Sequence, residues 1–512
     1  MSTAIAALAA IALAAVGVVK GTWAVGGSDS SCYALMATTL AGGHVQLSST
    51  LGDAPWPAAA LTLAPGGFIP GPATTGAVPI CAPGMSLLMA PLAVADRNAI
   101  FWLTPLAAFI LVLSAFALAR QLAGGMAGAT AAVLTATSPI VLYQTVQPMN
   151  DILTAALWLL ALANGRNPVA SGLIVGMAIL VRPNLAPLAL VFTIMPFLHP
   201  NAHSPRVGGP GILRDLPRDH RWRALAVLVA AILPGITVLL WLNDAVYGSA
   251  FGSGYGNVWQ LFSTSHISAN LSNYSRSIWQ TQHLLPVAAV AAPFVFDGLR
   301  RKAAWVLLTF GAVVIGIYLL YSPFPEWWYL RFLIPAMVVL IVLASAVLAR
   351  LLTRANMRGL LPISAVVLAV VGTRTAGDRQ AFALQQMEGR YRETAQLVRD
   401  RLPANVVVIT EWQSGGIRFH GGREVVLWAS LDPAWLDRAL IWLRSKGLQP
   451  MLVVERREES SFRARFRAHS AIGRLDWPPR FDLNRQVRIF DPDDRARYEA
   501  GETYPTENLR LR

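Results

Sequence analysis

The chain has 512 residues, 54% of them hydrophobic and 14% charged, with a mean hydropathy of +0.48. This composition excludes a soluble protein with an ordinary polar surface, because the apolar residues form runs of about 20, enough to cross a hydrocarbon core of about 30 Å. The formal net charge of +14 does not indicate nucleic-acid binding, since the basic residues lie mainly between the hydrophobic runs, as in cytoplasmic loops. The period of two that marks a membrane barrel is absent, so the runs predict helices.

The hydrophobic runs predict an α-helical polytopic membrane protein with about eleven transmembrane helices, the first of them retained because no basic region precedes it. With the N-terminus in the cytoplasm, the basic run Arg206 to Arg223 and the cluster Arg300 to Lys302 lie inside, as the positive-inside rule requires. Arg182 and Arg331 are among the few basic residues that this threading places outside. The predicted spans are 4–20, 98–119, 123–141, 151–164, 168–182, 184–199, 224–242, 284–298, 303–321, 330–350 and 358–373.

The composition changes after residue 374, where a mixed and charged pattern of 138 residues begins. Strand-like runs alternate there with helical stretches, which predicts a small soluble α/β domain. We expect a transmembrane domain over 1–374, with a first exported loop over 21–97, and a C-terminal soluble domain over 375–512. An odd number of spans puts the C-terminal domain outside the cytoplasm, in a multi-pass protein of the plasma (inner) membrane. The predicted strands cover 405–410, 424–429, 451–455 and 486–490, and the predicted helices lie around 392–401 and 433–446.

The exported loop opens with the motif GGSDSSCYALMATTLAGG. Its apolar residues repeat at helical spacing and a Gly pair ends the run, which predicts a short amphipathic helix on the membrane surface. Asp29 stands at the start of this helix, close to the bilayer and accessible to a water-soluble acceptor. The residue pattern leaves two interpretations open, an N-cap that satisfies free backbone N–H groups and a catalytic carboxylate.

Cys32 and Cys81 are the two cysteines, and both lie in the exported loop. An oxidising compartment would allow a disulfide between them. Spacing alone does not establish bridge geometry, so two free thiols are an equal alternative.

Several motifs follow Asp29 in a fixed order, and together they resemble a known family. They are CAPG with Pro83 and Gly84 in a turn, QPMND with Asp151 before a short span, GLIVGMAILVRP, and EWWYLRFLIP. This series resembles the GT-C glycosyltransferases, and most closely family 39, which includes protein mannosyltransferases and aminoarabinose transferases. The chain departs from the family pattern in having Asp29-Ser30 where members often have two adjacent acids, so the motif gives no support for a bound metal.

The resemblance implies a GT-C-like membrane domain, a polyprenyl-phosphate sugar donor and an inverting transfer to a glycan, lipid or protein acceptor. Asp29 would act as the base that takes the proton of the acceptor hydroxyl. Arg182 and Arg331 would face the lipid phosphate as its negative charge grows, with Asp151 and Glu326 as further binding residues. For the two arginines, snorkelling at a span end, and for Arg331 a pair with Glu326, are alternatives of equal weight.

Aromatic residues, among them Tyr255, recur between Asn243 and His283. Their rings could stack on a sugar, and Tyr255 is the candidate we select, although an interfacial aromatic belt explains most of them individually. Two other functional classes fit a polytopic chain with exported acids. These are a transporter or flippase of a lipid-linked or small solute, and a lipid-linked glycan ligase or polymerase. No cofactor is indicated with certainty, the need for a divalent cation stays open, and the sugar, the acceptor and the oligomeric state are not identified.

Overall fold

The computed structural model describes residues 1–72, 76–198 and 218–510. Within these residues the chain forms two compact units. The helical unit comprises Met1–Gly21, Trp102–Trp241 and Asn257–Phe382, and the mixed unit comprises Thr22–Phe101, Leu242–Gly256 and Ala383–Arg512. The predicted division at residue 374 assigned the exported loop to the membrane domain, whereas the structure groups that loop with the C-terminal residues.

Six helical stretches of the described chain are long and apolar enough to cross a membrane, and a seventh arises if a pair bent by 59° counts as one span. Four further apolar helices are shorter, so the predicted number of eleven spans is not confirmed. The six long helical stretches are Ser2–Val19, Arg97–Ala123, Arg221–Tyr247, Gly298–Leu319, Trp327–Arg354 and Leu360–Asp378. The bent pair is Gly125–Ala136 and Pro139–Thr145. The shorter apolar helices are Gly84–Ala95, Asn150–Ala163, Pro168–Val181 and Pro183–Phe192. Most of the predicted run Arg206 to Arg223, and the end of the span predicted at 184–199, lie outside the described residues.

The helical unit is built around Ile334–Arg354, whose residues are buried continuously from Ile334 to Val347. It contacts Leu103–Ala123, Gly125–Ala136, Asn150–Ala163 and Gly298–Leu320. A helix that is apolar all round belongs in the interior of a bundle, which explains this central position. The segment predicted as an aromatic loop is partly helical, because Ile267–Gln282 forms a helix with Asn270, Tyr274 and Ser277 on its buried side.

The C-terminal part of the mixed unit contains six strands, which are β4 Val406–Thr410, β5 Glu424–Leu427, β6 Gln449–Glu455, β7 Phe481–Leu483, β8 Val487–Phe490 and β9 Glu507–Leu509. They form one sheet in the order β5-β4-β6-β8-β7-β9. The predicted strands are present, together with β7 and β9, which the sequence did not reveal. Strands β4, β5 and β6 run parallel, and β8 pairs antiparallel with β6 and β7. The helices of this part are Leu384–Arg401, Leu436–Ser445, Glu459–Phe466 and Asp494–Glu499.

Each face of this sheet carries its own core, because side chains alternate along a strand. Val407 and Ile409 of β4 lie on one face, and Val406 and Val408 lie on the other. The segment 21–97 completes the first core, where Leu51 and Trp56 are only 2% and 3% exposed. The loop also forms a small sheet of β1 Leu47–Ser48, β2 Phe68–Pro70 and β3 Gly76–Pro79.

Candidate functional site

A helical hairpin brings Asp151 and Arg182 together in the helical unit. Asn150–Ala163 and Pro168–Val181 are 14 residues each and contact one another along the hairpin. Two antiparallel helices of equal length joined by a short connection place the start of the first beside the end of the second. Arg182 Nη1 therefore donates to Asp151 Oδ1 over 2.8 Å.

Asp151 is shared between two guanidinium groups. Its side chain is 1% exposed, and Arg331 Nη1 lies 3.9 Å from Asp151 Oδ2. Arg331 lies in the 3₁₀ turn Trp327–Leu333, which leads into the central helix. The three side chains have a formal charge of +1, in surroundings where electrostatic interactions are stronger than in water. We define them as the Asp151 cluster.

Aromatic rings hold the two arginines of this cluster. The Arg182 guanidinium lies 5.3 Å from the centre of the Phe332 ring, and that of Arg331 lies 5.1 Å from the same ring. Tyr318 stacks on Phe332 with ring centres 5.0 Å apart, and its hydroxyl accepts a hydrogen bond from Asn184 Nδ2 at 3.0 Å. In contacts of this kind a guanidinium lies near an aromatic ring while its N–H groups form hydrogen bonds in their own plane.

Glu326, the remaining predicted site residue of this unit, has different surroundings. Glu326 is exposed at the start of the 3₁₀ turn, where its carbonyl accepts the N–H of Tyr329 at 3.1 Å. The structure places the Asp151 carboxylate 3.9 Å from Arg331, and the pair between Arg331 and Glu326, the alternative that the sequence left open, stays a prediction. Glu326 lies five residues before Arg331 in the chain and is exposed.

Asp29 and Tyr255 both belong to the mixed unit. Asp29 is partly buried in the first turn of the helix Gly27–Ala41, and Tyr255 is 46% exposed in the segment before Gly256. The helix is not the expected amphipathic surface helix, because residues Ser30 to Ala37 are all buried. It packs on Gly84–Ala95 and is joined to that region by a disulfide between Cys32 and Cys81.

Neither acidic candidate is an N-cap. The capping positions of the two helices are Gly26 and Met149, so Asp29 and Asp151 each lie inside the first turn. The capping interpretation that the sequence left open for Asp29 is therefore wrong. A carboxylate in the first turn interacts favourably with the helix dipole, which fixes its position without using it as a cap.

C-terminal residues hold the backbone on both sides of Asp29. The Val25 N–H donates to His420 Nε2 at 3.0 Å. Gly415 lies so close to Ser31 that an added Cβ would overlap the serine side chain. Burial, with Arg392, Arg97 and Arg399 adding to it, lowers the pKa of His420 to about 3, so the ring is neutral and able to accept this bond.

No group of three or more His, Cys, Asp or Glu side chains in the described ranges is arranged to hold a metal ion. The sequence signals for the site were the acids before short helices and the arginines outside the positive-inside trend. Tyr274 carried no such signal, since an interfacial aromatic belt explained most of the aromatic residues between Asn243 and His283. Tyr318 carried none either, because it lies within the predicted span 303–321.

No family model and no curated protein matches the sequence. Solved structures do match the fold. The oligosaccharyltransferase of Archaeoglobus fulgidus in the apo form is 12% identical, with a TM-score of 0.54 over 91% of this chain and 71% of that one. ArnT from Cupriavidus metallidurans bound to undecaprenyl phosphate is 12% identical, with a TM-score of 0.54 over 90% of this chain and 94% of that one.

A third match is the archaeal oligosaccharyltransferase AglB from Archaeoglobus fulgidus in complex with an inhibitory peptide and a dolichol-phosphate. It is 13% identical, with a TM-score of 0.52 over 93% of this chain and 71% of that one. At these identities the likeness concerns the fold. It confirms the predicted GT-C resemblance and the fold class of an integral membrane protein with a C-terminal α/β domain.

Proposed function

We propose that this chain, whose fold is that of the GT-C glycosyltransferases, moves a sugar from a polyprenyl-phosphate donor to an acceptor hydroxyl by an inverting displacement. The observation that carries the proposal is the Asp151 cluster, in which one buried carboxylate orients two arginines. ArnT, bound to undecaprenyl phosphate, and AglB, in complex with a dolichol-phosphate, have the same fold and support a lipid-phosphate ligand.

The arginines act on the leaving group in this proposal. As the bond between the anomeric carbon and the phosphate oxygen breaks, its electron pair goes to that oxygen, and the lipid phosphate gains negative charge. Arg182 and Arg331 stabilise this charge through charge-assisted hydrogen bonds that are strongest in the transition state. Asp151 is a positioning residue, since it holds Arg182 at 2.8 Å and does not need to touch the donor.

Asp29 acts on the acceptor. The acceptor oxygen attacks the anomeric carbon from the side opposite the phosphate, and its proton passes to the Asp29 carboxylate. One bond forms and one breaks, so the products are the glycosylated acceptor with inverted configuration and free polyprenyl phosphate. Tyr255 and Glu326 are proposed as residues that meet the substrates, and both are exposed. The sequence leaves the need for a divalent cation open, and chelation tests it.

The non-cytoplasmic face of the plasma membrane is the proposed place of transfer. The disulfide between Cys32 and Cys81 supports this placement, because such bonds persist in oxidising compartments. The proposal therefore has a cytoplasmic N-terminus and an exported mixed unit.

The test uses the purified full-length protein with polyprenyl-phosphate hexose and pentose donors and a hydroxyl acceptor panel. We expect release of polyprenyl phosphate, coupled one to one to a glycosylated product, for at least one donor. Reconstitution in vesicles gives the contrast with a transporter or flippase. Movement of the intact lipid-linked sugar across the bilayer without donor cleavage would replace the proposal with that alternative. Transfer of a preassembled glycan chain in place of a single sugar would favour a ligase or polymerase.

A further inference from the structure

Tyr274 carries a buried hydroxyl that the proposed mechanism has not used. The residue is 5% exposed, and its hydroxyl has no hydrogen-bond partner within the described residues. Leaving a buried polar group unsatisfied costs the free energy of its desolvation. Phenylalanine would fill the same space without that cost. The hydroxyl is therefore able to donate to a partner other than the described residues.

The helix Ile267–Gln282 places Tyr274 on the side that faces a segment close to Arg182. One turn earlier, Asn270 Nδ2 donates to the carbonyl of Leu319 at 3.1 Å and to that of Tyr321 at 2.5 Å. Residues four apart lie on one face of a helix, so Tyr274 faces the same segment. Tyr318 in that segment lies with its ring centre 5.7 Å from the Arg182 guanidinium.

The residues that shift the pKa of Tyr274 belong to the same region around Arg182. Burial raises the pKa of Tyr274 above its ordinary value, Tyr318 and Tyr321 add to this effect, and Arg182 opposes it. The hydroxyl consequently stays protonated at neutral pH and is a hydrogen-bond donor. The partner that suits a buried donor under the electrostatic influence of a guanidinium is an anionic oxygen.

We propose that the Tyr274 hydroxyl donates a hydrogen bond to a phosphate oxygen of the lipid-linked donor, beside Arg182. This inference rests on the proposed function and adds to it a neutral residue that positions the phosphate. A neutral donor adds a further direction to the site without adding charge, because a hydroxyl hydrogen bond has a preferred angle.

The experiment compares binding of undecaprenyl phosphate and undecaprenol to wild type and Tyr274→Phe in detergent, together with thermal unfolding without lipid. We expect Tyr274→Phe to bind undecaprenyl phosphate about tenfold more weakly, as a bond to a charged group implies, and to bind undecaprenol as wild type does. Without lipid, the variant should unfold at or above the wild-type temperature, because the unsatisfied hydroxyl is gone.

Tyr247→Phe is the matched thermal control. The Tyr247 hydroxyl donates to the Pro79 carbonyl at 2.8 Å, so its removal should lower the unfolding temperature. An unchanged affinity of Tyr274→Phe for undecaprenyl phosphate would overturn the inference, as would an equal loss for both lipids or a fall in unfolding temperature like that of Tyr247→Phe. If wild type does not prefer undecaprenyl phosphate to undecaprenol, the proposed function fails and the inference fails with it. If wild type has that preference and Tyr274→Phe matches it, the inference alone fails.

Discussion

Arg182 and Asp151 are joined by a hydrogen bond of 2.8 Å, although 31 positions separate them in the chain. The bond joins the start of one helix of a hairpin to the end of the other. It fixes the position of an arginine that the predicted threading places outside the cytoplasm. A guanidinium that is hydrogen-bonded to a buried carboxylate has little freedom to rearrange. The Asp151 cluster is therefore organised before a ligand binds.

Asp151→Asn should destabilise the protein by about 3 kcal/mol, because two guanidinium groups lose their shared buried counter-charge. Thermal or denaturant unfolding of the purified protein measures this loss. Asp297→Asn is the matched control, since Asp297 also meets two arginines, Arg301 at 3.3 Å and Arg354 at 3.8 Å, but is 74% exposed. The control should change stability by less than about 1 kcal/mol. Equal effects of the two substitutions would contradict the structural role given to Asp151.

Trp56→Ala should destabilise the mixed unit by about 3 kcal/mol or more, because the ring is 3% exposed in the core beneath the C-terminal sheet. It also packs edge-on against Trp442 with ring centres 5.4 Å apart. Trp412→Ala, at a tryptophan that is 46% exposed, should cost much less. The measurement is the midpoint of chemical unfolding of the full chain, and similar midpoints for both variants would show that the loop does not complete this core.

His420→Gln tests the contact that holds the backbone before Asp29. The neutral ring is favoured in the folded protein, since the His420 pKa is about 3, below its ordinary value of 6.5. Below pH 6.5 the unfolded chain binds a proton that the folded chain does not, so wild type loses stability on acidification, by about 2 kcal/mol between pH 7 and pH 5. Glutamine can accept the Val25 N–H and does not titrate, so the variant should lack this part of the loss.

The pH prediction is measured as the difference in unfolding free energy between wild type and variant at each pH. His44→Gln, at an exposed histidine of the same unit, is the control and should retain the wild-type pH dependence. A His420→Gln curve parallel to that of wild type would contradict the assignment of a depressed pKa to His420.

Removal of the disulfide by the double substitution Cys32→Ala and Cys81→Ala should destabilise the protein by about 2–5 kcal/mol, as for other bridges that close loops of tens of residues. The bridge joins positions 49 apart and anchors the helix that carries Asp29. Reduced wild type should match the double variant, and thiol labelling before reduction should find no reactive cysteine. Labelling of both cysteines in the native protein would contradict the bridge.

The long apolar helices and four strands of the C-terminal sheet could be predicted from the sequence because their periodicity is local. The number of spans could not be confirmed, since Asn150–Ala163 and Pro168–Val181 are apolar but have only 14 residues each. Composition does not tell a short buried helix from a crossing. The strands β7 and β9 were missed because three residues are too few to show a period of two.

For the site, the sequence indicated Asp151, Arg182 and Arg331 separately, and the fold joined them. Asp151 was expected at a helix start, but its arginine partners depend on contacts 31 and 180 positions away, which no local pattern contains. The surroundings of Asp29 were also beyond prediction, because His420 contacts Val25 and Gly415 lies against Ser31, and both come from the other end of the chain. The roles of Asp29, Glu326 and Tyr255 stay predictions.

The most direct test of the central claim is single-turnover release of polyprenyl phosphate by donor-loaded wild type, Asp29→Asn and Asp53→Asn. Asp53 lies in the same segment, 21–97, and pairs with Lys446 on the surface at 2.5 Å, which makes it the matched acidic control. We predict that Asp29→Asn binds the donor as wild type does but releases lipid phosphate at least about a hundredfold more slowly, whereas Asp53→Asn keeps the wild-type rate. Release by Asp29→Asn at the wild-type rate would contradict the proposal that Asp29 is the base.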